Sequence, residues 1–338
     1  MKFGPVALED AVGGVVAHAV RLPGLVLKKG DVVCADHVAA LAAAGVATIV
    51  VARLEAGDVA EDAAAQRLAA QLCGEGLRRD PPFTGRCNLR ATRAGLLVVD
   101  ARAVDAVNAV DEAITLATLA PLKAVEDGEM VATVKIIPFA VEEEKLDRAL
   151  AAARGARLSV AAFRPLDVSV ISTLLPGLKD KTVDKTLRAL SARLAPAGAR
   201  IVSDTRVPHE TGALQAALAD TRAGDMTIVF GASAITDRRD VIPAAVEQAG
   251  GRIDHFGMPV DPGNLLLLAR GADGRPVLGA PGCARSPKEN GFDFVLQRLL
   301  ADVPVTGADI KRMGAGGLLK EIVSRPQPRG GGDAHDDD

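Results

Sequence analysis

The chain has 338 residues and a formal net charge of −3, and nearly half of its residues are apolar, so it can build two or three domains with substantial cores. It contains no tryptophan or tyrosine, and its basic and acidic residues are mixed along the sequence. This composition disfavours base stacking on nucleic acid and electrostatic attraction to DNA or to anionic membranes. A small-molecule ligand fits it better.

The four cysteines are far apart in the sequence, at Cys34, Cys73, Cys87 and Cys283. Without a Cys-x-x-Cys pair they indicate free thiols, and neither a zinc site nor a disulfide framework. The N-terminus lacks an apolar signal core, and no run approaches the roughly eighteen apolar residues that cross a bilayer. These observations predict a cytoplasmic protein with no membrane partner.

Residues 1–165 are predicted to form a smaller mixed α/β region. Apolar periodicity and turn residues divide this region into helices and short strands. Helices are predicted over residues 8–20, 37–44, 62–74, 100–116 and 141–154, and strands over residues 47–51, 95–99 and 130–139. Asp36 can cap the second helix and Gly45 can end it.

Residues 166–325 alternate regularly between apolar strands and helices. Strands are predicted over residues 168–173, 199–203, 226–230, 252–256, 264–269 and 276–280, and helices over residues 184–194, 211–219, 242–249 and 292–300. This alternation predicts a three-layer α/β/α domain with a mostly parallel sheet, whose ligand lies at the carboxyl ends of the strands. Residues 326–338 are rich in glycine, proline and aspartate and are predicted to be a disordered tail.

The loop after the strand over residues 226–230 carries the strongest chemical signal. Small residues at Gly231, Ala232 and Ser233 allow backbone N–H groups to approach an oxyanion, and the following helix favours one electrostatically. Asp237 and Asp240 beside a phosphate imply a bridging divalent cation such as Mg²⁺. The alternative is an ordinary strand-to-helix turn in which Asp237 is the N-cap and Pro243 lies in the first helical turn.

Several loops also fall in the order of one known family. Residues 239–245 read Arg-Asp-Val-Ile-Pro-Ala-Ala, and residues 278–283 read Leu-Gly-Ala-Pro-Gly-Cys. They resemble Arg-Asp-Val-Thr-Pro-Glu-Ala and Leu-Pro-Gly-Asn-Pro of the molybdopterin-binding domain shared by molybdopterin molybdenumtransferase and molybdopterin adenylyltransferase. Residues 258–264 resemble the family's Lys-Pro-Gly-Lys segment, and residues 170–173 its Ser-Thr-Gly-Asp-Glu strand end. The resemblance covers residues 166–325, extends loosely over residues 1–55, and leaves residues 80–165 unplaced.

The resemblance implies a role in molybdenum cofactor biosynthesis, with molybdopterin or its adenylate as the ligand. It implies that Mg²⁺, held by Asp237 and Asp240 as catalytic residues, assists insertion of molybdenum from molybdate. The residues expected to bind the ligand are Ser172, Thr173, Asp204, Gly231, Ala232, Ser233, Pro262, Gly263, Pro281, Gly282 and Ser286. Lysines at 179, 181 and 185 could add positive charge for the pterin phosphate. A homo-oligomer is expected, and a nucleotidyltransferase or a molybdoenzyme maturation protein is a candidate partner.

This chain also departs from the family's motifs. Leu174-Leu175-Pro176-Gly177 replaces Gly-Asp-Glu after Thr173, while Asn264 replaces a lysine and Cys283 an asparagine. These changes favour an alternative function, a non-catalytic molybdopterin carrier or sensor that hands the cofactor to a nucleotidyltransferase. A third hypothesis is an unrelated binder of sugar phosphates or nucleotides. His209 and His255 lie near predicted strand ends, but isolated histidines are expected to be structural.

Overall fold

A computed structural model gives the structure of the protein and describes residues 1–177, 180–220 and 224–320. The chain divides into two compact units, the first over Met1–Val160 and the second from Ala161 onward. Within the described residues, no helix combines the length and the apolar character that crossing a membrane requires. Lys179 and the predicted tail over residues 326–338 lie outside the described residues.

The first unit is a mixed α/β structure built from short antiparallel sheets. Its strands are β1 (Lys2–Ala7), β2 (Val15–Val16), β3 (Val20–Leu22), β4 (Leu25–Leu27), β5 (Thr48–Arg53), β6 (Asp58–Ala60), β7 (Leu77–Arg79), β8 (Arg86–Ala91), β9 (Gly95–Val98), β10 (Ile114–Thr118), β11 (Ala124–Val125), β12 (Met130–Ile136), β13 (Ala140–Glu142) and β14 (Ser159–Ala162). Its helices are α1 (Ala35–Ala43), α2 (Glu61–Leu72), α3 (Ala101–Asn108) and α4 (Glu143–Ala152). Buried side chains of α2 pack with those of β8 and β12 in the main core of this unit.

The helix predicted over residues 8–20 is wrong. Leu8–Asp10 is a single 3-10 turn, and β2 and β3 follow it. Gly14 explains the difference, because a Cβ there would lie 2.8 Å from Cγ2 of Val51 on β5. The backbone approaches β5 so closely that only glycine fits, and the two valines of β2 then pair with that strand.

The helix predicted over residues 100–116 is too long. Helix α3 ends at Asn108, and residues 114–118 form strand β10. The Asn108 side chain donates from Nδ2 to the carbonyl of Leu116 at 2.9 Å and accepts the Leu116 N–H at 2.7 Å. These two bonds fix a reversal of the chain, and the β-branched residues Ile114 and Thr115 favour the strand that follows.

The second unit contains a six-stranded sheet. Its strands are β15 (Asp167–Leu174), β16 (Arg200–Pro208), β17 (Met226–Phe230), β18 (Arg252–Phe256), β19 (Leu267–Arg270) and β20 (Pro276–Ala280), in the order β16-β15-β17-β20-β19-β18. Its helices are α5 (Asp180–Leu194), α6 (Thr211–Asp220), α7 (Val241–Gln248), α8 (Gly291–Leu300) and α9 (Gly307–Lys311). Strands β16, β15, β17 and β20 are parallel, and β19 runs antiparallel to β20 and β18.

Two hydrophobic cores cover the two faces of this sheet. Val168 and Val170 of β15 pack with residues of α5 and α8, whereas Ile171 packs with residues of α6 and α7. Side chains that alternate along β15 therefore point into different layers. The prediction of a three-layer α/β/α domain with a mostly parallel sheet is confirmed.

Strand β16 differs most from its prediction. It was expected to end at Ser203 but continues to Pro208, in parallel register with β15 up to the pair Leu174 and Pro208. The carboxyl end of β16 thus lies five residues further along the chain. This places His209, and not Asp204, at the edge of the sheet where the parallel strands end.

Candidate functional site

The carboxyl ends of the parallel strands bring several predicted site residues to one edge of the sheet. Thr173 lies near the end of β15, Gly231 directly follows β17, and Pro281 directly follows β20. Because β18 runs parallel to β17 and β19 runs opposite, the segment between β18 and β19, with Pro262 and Gly263, reaches the same edge. This is where ligands bind in open α/β sheets.

A chain of hydrogen bonds connects three neighbouring elements at this edge. The Ala232 N–H donates to Oγ1 of Thr173 at 2.9 Å. The same Oγ1 lies 2.8 Å from Nδ1 of His209, and Nε2 of His209 lies 3.1 Å from Oγ of Ser233. Thr173 is 1 % exposed, whereas Ser233 is exposed to solvent. The loop after β17 is therefore fastened to the ends of β15 and β16 through His209.

The sequence places His209 near a predicted strand end and predicts a structural role, but it does not predict the bonds of His209 to Thr173 and Ser233. The register of β15 with β16 aligns Thr173 with Val207, and the His209 N–H bonds to the carbonyl of Leu174 at 2.9 Å. A longer strand β16 would have predicted this placement, since its residues 205–208 continue the pairing. The charge of Arg206 interrupts the apolar pattern and concealed that extension.

Ser172 and Asp204 lie on the other face of the sheet from Thr173. Asp204 pairs with Val170 inside the strand, and its carboxylate is 2.9 Å from the Arg206 guanidinium. The expectation that Asp204 follows the end of its strand is therefore wrong. Arg206 also binds Asp184 at 2.8 Å and Asp180 at 2.9 Å, and these hydrogen bonds raise the pKa of Arg206 above its ordinary value. Asp204 belongs to an ion-pair cluster with helix α5.

The Ser172 hydroxyl is buried without a hydrogen-bond partner among the described residues, and Ser172 is 2 % exposed. Nearby, Arg285 donates to Thr186 Oγ1 at 3.0 Å and to the Gly231 carbonyl at 2.8 Å, with its guanidinium 5.5 Å from the centre of the Phe230 ring. Ser172 pairs with Phe230 across the sheet. Arg285 thus ties the loop after β20 to the loop after β17.

The loop after β20 is held by a buried arginine. Gly282–Arg285 forms a 3-10 turn, with Pro281 before it and Ser286 after it. Arg193 of α5 bonds to Asp293 at 2.6 Å with both side chains more than nine-tenths buried. The same guanidinium donates to the carbonyls of Ala284, Ser286 and Lys288. The backbone that carries Pro281, Gly282 and Ser286 is consequently well fixed.

Pro262 and Gly263 pack against the start of helix α8. The Pro262 carbonyl accepts the N–H of Gly291 at 2.8 Å. A Cβ on Gly263 would lie 2.7 Å from both Cα and N of Gly291, so the two backbones touch. Gly263 therefore has a packing role whatever it does for a ligand.

Asp240 is the N-cap of α7, which corrects the alternative in which Asp237 caps this helix. One Asp240 oxygen accepts the Val241 N–H at 2.9 Å and the other accepts the Thr236 N–H at 3.2 Å. Pro243 lies in the first helical turn, as predicted. Asp237 instead binds the backbone N–H of Arg239 at 2.8 Å and its Nε at 2.7 Å.

The described residues contain no group of three or more histidine, cysteine, aspartate or glutamate side chains that could hold a metal ion. A cavity of about 480 Å³ lies at the opposite edge of the sheet, near Thr227 and Val277. It includes none of the predicted site residues and faces the amino ends of β17 and β20. The carboxyl edge, with its buried hydrogen-bonding side chains, is the better candidate site.

Arg239 should control the ionisation of Asp237. Hydrogen bonds from the Arg239 guanidinium and N–H lower the pKa of Asp237 from 3.8 to about 2. A lowered folded-state pKa means that the charged carboxylate stabilises this loop above pH ~4, and that the contribution is lost as the pH falls toward about 2. Solvent exposure keeps the effect on global stability small. We expect Arg239→Gln to raise this pKa toward 3.8, measured by following the carboxyl ¹³C shift against pH.

Arg238→Gln is the control for that titration. It removes a neighbouring positive charge, and no hydrogen bond joins Arg238 to Asp237 within the described structure. The pKa of Asp237 should stay close to its wild-type value in this variant. An unchanged pKa in Arg239→Gln would contradict the assignment.

Comparison with known proteins identifies two segments. Residues 168–301 match the model of a family described as "Probable molybdopterin binding domain". Residues 5–53 match a family described as "Domain of unknown function (DUF8806)". No curated protein matches the chain by sequence.

Two solved structures are similar to the chain at low identity. A molybdenum cofactor biosynthesis protein from Pyrococcus furiosus is 13% identical with a TM-score of 0.24, and the match covers 92% of this chain and 65% of that one. The molybdopterin biosynthesis MoeA protein from Pyrococcus horikoshii OT3 is 10% identical with a TM-score of 0.28, covering 89% of this chain and 74% of the other. The chain thus spans about two thirds of the length of the first of these proteins. The family match of residues 168–301 is the more specific finding.

Proposed function

We propose that this protein binds molybdopterin or its adenylate at the carboxyl edge of the second unit's sheet, because residues 168–301 match the model of the family described as "Probable molybdopterin binding domain". The family match supports a role in molybdenum cofactor biosynthesis. The observation that carries the proposal is the linkage of Thr173, Ala232 and Ser233 at this edge, inside the matched segment. The linkage positions the exposed Ser233 hydroxyl, and an oriented donor is what an oxyanion of the ligand requires.

In the proposed site, Ser233 and the backbone of the loop after β17 bind a phosphate group of the ligand. The turn Gly282–Arg285, fixed by Arg193, lies at the same edge of the sheet. On the other face of the sheet, Ser172 offers a buried hydroxyl that has no hydrogen-bond partner among the described residues. Hydrogen bonds from such donors are stronger to deprotonated phosphate oxygens, so binding should be strongest for a charged ligand.

The finer proposal is a transferase that replaces the adenylate of adenylylated molybdopterin with molybdate. Mg²⁺ prefers one or two carboxylates together with water and substrate phosphate, which is consistent with Asp237 and Asp240, since the described residues hold no larger group of metal ligands. When bound there, Mg²⁺ would neutralise charge on the phosphate. The side chain of Asp237 is about half exposed and so is open to such a ligand.

The test is release of AMP from molybdopterin adenylate in the presence of molybdate and Mg²⁺. We expect Asp237→Asn to slow release on the order of 10²-fold, the loss typical of one electrostatic contact to the reacting group. Asp273→Asn is a matched control, because Asp273 binds the N–H and Nε of Arg275 as Asp237 binds those of Arg239. Equal rates in the two variants and the wild type, or no AMP release by any of them, would remove the transferase proposal.

A carrier or sensor is the second candidate function. Two observations favour it: Leu174 follows Thr173, and every oxygen of Asp237 and Asp240 already bonds to a protein donor. A carrier would bind molybdopterin without turnover and pass it to a nucleotidyltransferase or to a protein that matures molybdoenzymes. Measurable binding of molybdopterin without AMP release would support this function over the first.

A further inference from the structure

The hydrogen bonds around His209 determine which of its ring nitrogens carries the proton. We propose that Thr173 holds His209 as the Nε2–H tautomer, and that His209 thereby turns the Ser233 hydroxyl hydrogen outward as a donor to an oxyanion. His209 is then a positioning residue that acts through Ser233. The assignment of the oxyanion to the ligand rests on the proposed function, whereas the tautomer does not.

The first step concerns the single hydrogen of the Thr173 hydroxyl. Oγ1 of Thr173 already accepts the Ala232 N–H at 2.9 Å, and its one other hydrogen-bonding neighbour among the described residues is Nδ1 of His209 at 2.8 Å. Thr173 is 1 % exposed, so water does not replace a missing partner. Donation from Oγ1 to Nδ1 satisfies both groups. The opposite arrangement would leave a buried hydroxyl donor unpaired, at a cost of about 1–3 kcal/mol.

The second step follows the proton to the far side of the ring. A neutral imidazole that accepts at Nδ1 carries its hydrogen at Nε2. Nε2 is 3.1 Å from Oγ of Ser233, so the ring donates and Ser233 accepts. The Ser233 hydroxyl keeps its own hydrogen for another acceptor, and Ser233 is exposed in the loop after β17.

The third step concerns what Ser233 does. In the Nδ1–H tautomer, Ser233 would donate its proton to Nε2, and the pair would have the arrangement of a nucleophile with its general base. In the Nε2–H tautomer the ring cannot take that proton. The buried hydroxyl of Thr173 therefore makes Ser233 an oriented hydrogen-bond donor for an anionic oxygen and prevents its activation as a nucleophile.

The tautomer can be measured directly in the full-length, ligand-free protein. Two-bond ¹H–¹⁵N correlation spectra in mildly alkaline buffer distinguish protonated from unprotonated ring nitrogens in each of the 5 histidines, and His209→Gln identifies the signals of interest. We expect Nε2 of His209 to carry the proton in the wild type and in Thr173→Ser. Thr173→Val should allow both tautomers, because it removes the hydroxyl. Protonated Nδ1 in the wild type overturns the proposal, and so does a single Nε2–H tautomer in Thr173→Val.

Binding of inorganic phosphate tests the consequence for Ser233. Ser233→Ala and His209→Gln should each weaken binding about tenfold, the loss of one charge-assisted hydrogen bond. The double variant Ser233→Ala with His209→Gln should bind phosphate no more weakly than Ser233→Ala alone, because His209 acts only through Ser233. His255→Gln is the control and should bind normally. Additive losses, or unchanged binding in Ser233→Ala, would overturn the donor role. Failure of molybdopterin to bind would refute the proposed function and leave the tautomer result intact.

Discussion

Replacing Arg193 with alanine is expected to destabilise the second unit by about 3–5 kcal/mol, the usual loss when one partner of a buried ion pair is removed. Asp293 would be left as a buried charge without its partner at 2.6 Å. Three backbone carbonyls after β20 would lose the hydrogen bonds from Arg193 in the same step. Since the chain has no tryptophan or tyrosine, the free energy of unfolding is best followed by far-UV circular dichroism in urea.

Arg200→Ala is the matched control for Arg193→Ala. Arg200 also pairs with an aspartate, Asp167 at 2.7 Å, but its side chain is 74 % exposed. An exposed ion pair contributes about 0–1 kcal/mol to the free energy of unfolding, so the free energy of unfolding of this variant should stay close to that of the wild type. If Arg193→Ala and Arg200→Ala lost similar amounts of stability, burial would not be the reason for the large effect expected of Arg193→Ala.

A double variant separates the two roles of Arg193. Replacing a whole buried ion pair with apolar residues is often neutral, so Arg193→Met with Asp293→Leu should recover part of the stability. Full recovery of the free energy of unfolding would mean that Arg193 stabilises the protein through its ion pair with Asp293 alone. We expect incomplete recovery, because the carbonyls of Ala284, Ser286 and Lys288 still lack the hydrogen bonds from Arg193, although Lys288 keeps the bond from Nδ2 of Asn290.

The sequence predicts the second unit far better than the first. Strands β17, β18 and β20 have the predicted bounds, because β17 and β20 are short apolar runs and β18 lies between Gly251 and Gly257. In the first unit, apolar spacing that fits a helix was overridden by tertiary contacts. Gly14 packs against Val51, and Asn108 reverses the chain onto Leu116. Neither contact can be inferred from residues close in the sequence.

The positions of the candidate site residues were also predicted only in part, because some of them depend on contacts between distant strands. Loops at the carboxyl edge follow from the alternation of strands and helices, which brought Thr173, Ala232 and Ser233 together as a group of candidates. Which face each side chain takes depends on register, so Asp204 was placed wrongly and the bond between His209 and Thr173 was not predicted. Register depends on the partner strand and on how far that strand extends. The charged Arg206 interrupts the apolar pattern of β16, so the full length of β16 was not predicted.

Gly263→Ala is expected to cost about 3 kcal/mol, because it combines a backbone clash with an unfavourable backbone conformation. The new Cβ would lie 2.7 Å from two backbone atoms of Gly291, which cannot rotate away. The φ angle of Gly263 is 142°, a region that residues with a side chain rarely adopt. Loss of stability should appear in the unfolding of the ligand-free protein, before any ligand is considered.

Variants of two further glycines separate the cost of the backbone clash from the cost of the unfavourable backbone conformation. Gly274 has φ of 81° but open space around its Cβ position, so Gly274→Ala should show the conformational cost alone, about 1–2 kcal/mol. In Gly291→Ala the nearest atom is the flexible Met258 Sδ at 2.6 Å, which can move, so a smaller loss than in Gly263→Ala is expected. A Gly263→Ala protein as stable as the wild type would contradict the packing role.

The same variants decide how a loss of ligand binding at Gly263 should be interpreted. Gly263 was predicted as a binding residue, yet its backbone touches the start of α8 next to Asn290, which is fully buried. If packing is its main role, Gly263→Ala and Gly291→Ala should weaken molybdopterin binding only by the fraction of protein that each variant leaves unfolded. A Gly263→Ala protein that is stable but binds poorly would instead assign direct ligand contact to this position.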